Sequence, residues 1–295
     1  ILVMSNYNFL VLGFVVAAIL LVPGIDESWA DWSFEGFMGE PWSCPGSSWP
    51  DTCWFNSVQD VAVDQSDNIY VATFYPQKIY KLNSAGNNVQ EYSLPDKARE
   101  VDVDGAGNVY VSLGQFTQST IVKYDSAGTL IQNYAGFPGN ILDFAVNNEG
   151  EIYAVFDNAN YLIKFGLDGS QIFAKSFDDD RTNGWHEVEV DQRTGKVYLA
   201  LGSTLRILDS SGNELSVTNP PGGNIFGMDV DGAGNIYIYT DSKGLQKYDS
   251  TGSPGSGQGV SSTISPPASA PFDLTSYSTI SPGNEFAVNS AGDVY

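Results

Sequence analysis

One short phrase recurs six times along the chain, and this repetition constrains the fold more than any other feature. It reads, for example, EVDVDGAGNVYVSL at Glu100 and GMDVDGAGNIYIYT at Gly227. The copies begin at Asp60, Glu100, Asp143, Glu187, Gly227 and Glu285. Their matching tyrosines, Tyr70, Tyr110, Tyr153, Tyr198, Tyr237 and Tyr295, are separated by 40, 43, 45, 39 and 58 residues. Intervals near 40 residues are typical of propeller blades.

Each copy predicts a β-hairpin, because apolar residues alternate on both sides of an Asp- or Asn-led turn that contains glycine. A second phrase, such as TIVKYDSAGT at Thr120, supplies a third strand, and apolar stretches such as Val89 to Tyr92 and Leu130 to Tyr134 supply a fourth. The sequence therefore predicts an all-β fold, a β-propeller of about six four-stranded antiparallel blades. We expect this body to span residues 58–295, with the last blade incomplete.

The repeated phrase resembles the NHL-repeat family of β-propellers. The resemblance is carried by VDGAGNVYV (Val103 to Val111), by IVKYDSAG (Ile121 to Gly128), and by WFNSVQDVAVD (Trp54 to Asp64). It implies an interaction scaffold in most cases and a lyase or lactone hydrolase in some. Two segments depart from the family pattern, TFYPQKIYK in the first repeat and LGSTLRIL in the fourth.

The first 30 residues are predicted to be a targeting segment. Phe9 to Val22 is an uncharged apolar run that is shorter than the roughly 20 residues of a membrane-spanning helix. Ser28-Trp29-Ala30 places small residues where a signal peptidase cleaves, although no Lys or Arg precedes the run. The alternatives are a retained membrane or assembly helix and a buried structural segment. A signal or anchor places the rest of the chain outside the cytoplasm or on the cell surface.

Residues 31–57 form a segment that is rich in Trp, Pro and Ser. It contains Cys44 and Cys53, the two cysteines of the chain, and in an exported protein such a pair favours a disulfide. We also consider this segment a source of the strand that closes the last blade. Its tryptophans form a candidate sugar-stacking or protein-contact patch; the alternative is that they pack over the end of the propeller.

The charge balance excludes one class of partner. The formal net charge is −22, from 13 Lys and Arg against 35 Asp and Glu. Because nucleic acids are bound through Lys and Arg, we expect no nucleic-acid partner, and contact with a membrane only through an uncleaved N-terminus. A protein or carbohydrate ligand is the expectation that remains.

Acidic residues occupy one repeated position just before the innermost strand of each blade. They are Asp60, Glu100, Asp143, Glu187 and Glu285, with Gly227 in the fifth copy, and the lone histidine, His186, precedes Glu187. Near the mouth of the channel these side chains are candidate ligands for Ca²⁺ or another divalent cation, or for a cationic ligand. The alternative is structural, with each carboxylate accepting backbone N–H groups of a neighbouring blade. We predict no catalytic residue.

The leading hypothesis is a secreted or surface-displayed, non-enzymatic binding module. The alternatives are a metal-assisted hydrolase similar to the gluconolactonase-like propellers, and a subunit of a surface filament or layer that uses the N-terminal helix. Neither phosphate-binding loops nor a Gly-x-Ser-x-Gly nucleophile motif is present in the sequence.

Overall fold

A computed structural model describes residues 56–114, 119–156, 159–177, 186–240, 242–253, 286–292 and 294–295. The predicted signal segment (1–30), the pair Cys44 and Cys53, and Glu285 lie outside the described residues. A helix of the length and apolarity needed to cross a bilayer is not found in the described part of the chain.

The described strands form five antiparallel sheets, one for each of the first five repeats. The first blade contains β1 (Asn56–Val63), β2 (Ile69–Tyr75), β3 (Lys78–Leu82) and β4 (Asn88–Ser93). The second contains β5 (Ala98–Val103), β6 (Val109–Leu113), β7 (Thr120–Tyr124) and β8 (Leu130–Tyr134). The third contains β9 (Ile141–Val146), β10 (Ile152–Phe156), β11 (Ala159–Phe165) and β12 (Gln171–Ser176). The fourth contains β13 (His186–Val190), β14 (Val197–Leu201), β15 (Thr204–Leu208) and β16 (Glu214–Thr218), and the fifth β17 (Ile225–Val230), β18 (Ile236–Thr240) and β19 (Gly244–Tyr248). The predicted β-propeller with four-stranded blades is confirmed.

Both faces of each blade are buried because consecutive blades pack face to face. The interface of the first two blades, for example, joins Tyr70, Ala72 and Ile79 to Val101 and Val109. The repeated tyrosine of the second strand is at most 1% exposed in each of the five full repeats. Buried aromatic and β-branched side chains at every interface supply the apolar area that holds the blades around a common axis.

The sixth copy of the phrase closes the ring. Ala287 and Tyr295 exchange backbone hydrogen bonds, and Val288 forms a bridge with Val294. Ala287 and Tyr295 pack against Val61, Ile69 and Val71 of the first blade, and Val288 and Val294 against Tyr237 and Leu245 of the fifth. The described residues therefore form five blades, with the start of a sixth unit placed between the fifth and the first.

The turn that follows each innermost strand is built around its leading Asp or Asn, as the sequence predicts. In the first blade, Oδ1 of Asp64 accepts the N–H groups of Ser66 at 2.8 Å and Asn68 at 3.0 Å. Antiparallel connectivity places these turns, and those between the third and fourth strands, on one side of the ring, called here the turn face. The other connections lie on the opposite side, called the loop face.

A buried Asp–Tyr–Lys network joins this turn to the sheet. In the second blade, Lys123 Nζ lies 3.2 Å from Asp104 and 4.7 Å from the ring centroid of Tyr110, whose hydroxyl donates to Asp104 at 3.1 Å. The first and fifth blades repeat the arrangement with Lys81 and Lys247. In the fourth blade Ile207 takes the place of the lysine, and the Tyr198 hydroxyl has no hydrogen-bond partner among the described residues.

The third blade keeps the ion pair but exchanges its members. Asn147 occupies the aspartate position, and Glu151, four residues on, carries the carboxylate where the turns of the first, second and fifth blades have asparagine. Lys164 pairs with Glu151 at 2.6 Å, and Asn147 Nδ2 donates to Glu151 at 2.8 Å. The negative charge has moved by four residues while the lysine and tyrosine keep their places.

We expect Glu151→Asn to lower the free energy of unfolding by about 2 kcal/mol, because it leaves the buried Lys164 ammonium without its carboxylate. Adding Asn147→Asp restores the arrangement of the second blade, so the double variant should recover most of this loss. Chemical denaturation of the two single variants and the double variant measures the coupling. Additive effects of the two substitutions would contradict the exchange.

Candidate functional site

A cavity of about 110 Å³ lies on the axis of the ring and is lined by the innermost strands of all six repeats. The acidic side chains that line it come from every full blade. They are Asp60, Asp64, Asp102, Asp104, Asp143, Glu187, Glu189 and Asp229. The cavity has room for a few water molecules, well below the roughly 300 Å³ of a typical small-molecule pocket.

Four of these carboxylates bridge neighbouring blades through the backbone. Asp60 accepts Val61 N–H at 2.6 Å in its own strand and Val101 N–H at 2.5 Å in the second blade. Asp102 likewise accepts Val103 N–H and Val146 N–H of the third blade. Asp143 accepts Phe144 N–H and Val188 N–H of the fourth blade. Asp229 accepts Val230 N–H and Val288 N–H of the sixth copy. Glu189 accepts Val190 N–H at 2.7 Å.

These bridges have a simple physical reason. The innermost strand of a blade pairs on one edge only, so its inner edge presents N–H groups that no sheet partner satisfies. A carboxylate with two acceptor oxygens satisfies one N–H in its own strand and one in the next blade. These side chains therefore act as clamps between blades, which is the structural alternative set out above for the acidic position.

The predicted site residues lie in different surroundings. Asp60 and Asp143 are clamps. Glu187 is 5% exposed and lines the cavity, whereas Glu100 and His186 are half-buried and do not line it. The structure thus brings Asp60, Asp143 and Glu187 together around the axis, and a metal or ligand role for them stays a prediction.

Sequence reasoning missed Asp102, Glu189 and Asp229. They stand two residues after the predicted position, within the same innermost strand. The two-residue period of a β-strand could have identified them, because side chains two residues apart point to the same side of the strand. In the first and third copies alanine (Ala62 and Ala145) occupies this position, and the acidic clamp residue stands two residues earlier, at Asp60 and Asp143.

Enclosure by protein raises the pKa of the clamp carboxylates. The exposed part of these side chains faces the cavity rather than bulk water, and burial raises the pKa of Asp102 to about 8 and of Asp143 and Asp229 to about 7. Backbone hydrogen bonds partly oppose this rise. Burial, with repulsion from the other clamps, also raises the pKa of Asp60 and Glu189 well above the ordinary value. Burial lowers the pKa of His186.

Amide side chains span the cavity at the turn face. Gln65 of the first blade donates to Asn148 of the third at 2.6 Å, Asn148 donates to the Gln192 carbonyl of the fourth at 3.0 Å, and Gln192 donates to the Val146 carbonyl at 2.6 Å. A Cβ at Gly105 would lie 2.7 Å from Asn148 Oδ1, so a larger residue there would displace the Asn148 side chain. The amide bridge narrows the cavity at this end.

The described carboxylates do not form a ready-made metal site. Within the part of the chain that the structure describes, no group of three or more His, Cys, Asp or Glu side chains is arranged to hold a metal ion. The clamp oxygens are held on separate blades by their backbone partners, which keeps them apart around the axis.

Comparison with known proteins places the chain by fold. No protein-family model matches it, and no curated protein matches its sequence. Its fold is that of a known group of β-propellers. A Bacteroides caccae protein of unknown function has 13% identity and a TM-score of 0.53, over 69% of this chain and 81% of that one. A streptogramin B lyase has 13% identity and a TM-score of 0.52, over 67% and 70% of the two chains. A catalytically inactive variant of virginiamycin B lyase from Staphylococcus aureus, with quinupristin, has 12% identity and a TM-score of 0.55, over 72% of both chains. At these identities the likeness concerns the fold alone.

Proposed function

We propose that the protein is an exported, NHL-type β-propeller that acts as a non-enzymatic binding module for a positively charged protein or peptide. The observation that carries this proposal is that many of its Lys and Arg side chains are engaged in ion pairs within the blades. Every described blade uses at least one Lys or Arg in an internal ion pair. The pairs are Lys78–Glu91, Lys81–Asp64, Lys123–Asp104, Lys164–Glu151, Arg193–Asp191, Arg206–Glu214 and Lys247–Asp231.

Several of these cations lie inside the blades rather than on the surface. The side chains of Lys81, Lys123 and Lys164 are only 16, 13 and 9% exposed. Because the formal net charge is −22, the field outside the protein is negative. Such a field attracts basic partners and speeds their association, most strongly at low salt.

The use of the axial carboxylates also supports a binding role. Their oxygens are engaged by backbone N–H groups of two blades, which suits a rigid scaffold, and recognition then falls to the surface turns and loops. The fold is shared with lyases and with proteins of unknown function. An enzyme of lyase or hydrolase type is therefore the competing hypothesis, and the experiment must distinguish it from a binding module.

The test is a fluorescence anisotropy titration with a labelled oligolysine peptide, and an oligoglutamate peptide of equal length as control. We expect saturable binding of oligolysine that weakens as salt rises, and none of oligoglutamate. Absence of saturable binding would contradict the proposal. Turnover of a streptogramin B or a lactone, with or without Ca²⁺, would establish an enzyme instead, and a rise in melting temperature with Ca²⁺ would support a cation in the axial cavity.

A further inference from the structure

A second cavity, of about 470 Å³, opens on the turn face between the third and fourth blades. Its walls are the β9–β10 turn on one side and the β13–β14 turn on the other. Lys164, Leu167 and Ser210 complete the lining. Unlike the axial cavity, this cleft has the size of a ligand site.

The cleft coincides with the places where the turns depart from their own repeat. The corresponding turns read DQSDN, DGAGN and DGAGN in the first, second and fifth blades, but NNEGE in the third and DQRTGK in the fourth. The two DGAGN turns, with one charge each, connect their strands equally well, so neither Glu149 nor the extra residue of the fourth turn is needed for the hairpin. At their central position the first, second and fifth blades carry Ser66, Ala106 and Ala233, where the third carries Glu149.

Most charges around the cleft are already paired. Glu151 is bound to Lys164, Asp191 accepts the Thr194 hydroxyl and lies 3.6 Å from Arg193, and Arg193 donates to the Ala233 carbonyl of the fifth blade at 3.0 Å. Glu149 is exposed and forms no hydrogen bond or ion pair with any described residue. Among the described residues of the cleft, Glu149 is therefore the one carboxylate that has no cationic partner.

An exposed apolar side chain lies in the same cleft. Leu167 is 55% exposed, among the largest values for an apolar residue in the described chain. A carboxylate and an apolar surface in one cleft are complementary to a lysine or arginine side chain, whose aliphatic stem packs on apolar surface while its charged end meets the carboxylate.

We propose that this cleft binds a basic side chain of the partner, with Glu149 contacting the charged end and Leu167 contacting the aliphatic stem. The proposal rests on the proposed function, because it names the place on the surface where the positively charged partner is held. It concerns Glu149 and Leu167 rather than the acidic residues predicted at the mouth of the axial channel, although Asn148, Val190 and Gln192 line both cavities.

The test repeats the oligolysine titration with Glu149→Gln and with a matched control, Asp96→Asn. Asp96 is an exposed residue on the loop face, so each variant removes one negative charge. We expect Glu149→Gln to weaken binding about three- to fivefold, the range of one exposed ion pair, and Asp96→Asn to change it by less than about 1.5-fold. Leu167→Ser should add a further loss of about threefold.

The outcomes separate the two proposals. If the wild-type protein does not bind oligolysine, the proposed function is wrong and the cleft with it. If it binds and both charge variants weaken binding equally, the partner is basic but the cleft is not its site. Melting temperatures within about 2 °C of the wild type confirm that the variants are folded, since both positions are exposed.

Discussion

Asp60→Ala is expected to lower the free energy of unfolding by about 3 kcal/mol. The substitution leaves the N–H groups of Val61 and Val101 without acceptors at the interface of two blades, and each unsatisfied buried N–H costs about 1 to 3 kcal/mol. Relief of the buried charge offsets part of this cost. The melting temperature should fall by roughly 6 to 12 °C, as measured by scanning calorimetry.

Asp96→Ala is the control for this experiment, because it removes an exposed carboxylate and should change stability by less than about 0.5 kcal/mol. Asp60→Asn should lie between the two, since the amide keeps one acceptor and turns a donor toward the other N–H. Equal stability of Asp60→Ala and Asp96→Ala would show that the clamps do not hold the blades together.

The second large effect concerns pH. We expect the protein to become less stable as the pH rises from about 5 to 8. The folded-state pKa of Asp102 is about 8, and those of Asp143 and Asp229 are about 7, against 3.8 in the unfolded chain. The folded protein therefore holds protons that the unfolded chain has released, and each such proton lowers the unfolding free energy by about 1.4 kcal/mol per pH unit.

The turn aspartates act in the opposite direction at lower pH. Hydrogen bonds from the turn hold the pKa of Asp64 and Asp104 below the ordinary value despite the opposing effect of burial. Their contribution is present above pH 4 and is lost as the pH falls through their folded pKa. Maximal stability is thus expected on the acid side of neutrality, at about pH 4 to 5.

Chemical denaturation at constant ionic strength between pH 4 and 9 measures this profile. Asp102→Asn removes one titrating group, so its stability should fall less steeply between pH 5 and 8, whatever its stability at pH 5. A wild-type profile that is flat or rises over this window would contradict the raised pKa values.

The architecture was predictable because it follows from local periodicity. Alternating apolar residues, Asx-led turns and a repeat near 40 residues specify hairpins that cannot bury both faces alone, and blade packing is their common solution. The outer strands predicted at Val89 to Tyr92 and Leu130 to Tyr134 fall within β4 and β8.

The site was less predictable because it depends on contacts between repeats. Glu100 and Asp102 are both acidic and stand two residues apart in one strand, yet only the path of the next blade decides which of them meets a free N–H. The cleft beside Glu149 likewise arises from two turns that are more than 40 residues apart in sequence. Local patterns specify the blade, whereas the neighbour that each side chain meets is a property of the assembled ring.

The amide bridge makes the two ends of the axis chemically unequal. Gln65, Asn148 and Gln192 are hydrogen-bonded across the turn-face end of the axial cavity. We therefore expect water and ions to exchange through that end as these amide side chains move, so that the lifetime of their hydrogen bonds sets how long a small ion stays inside.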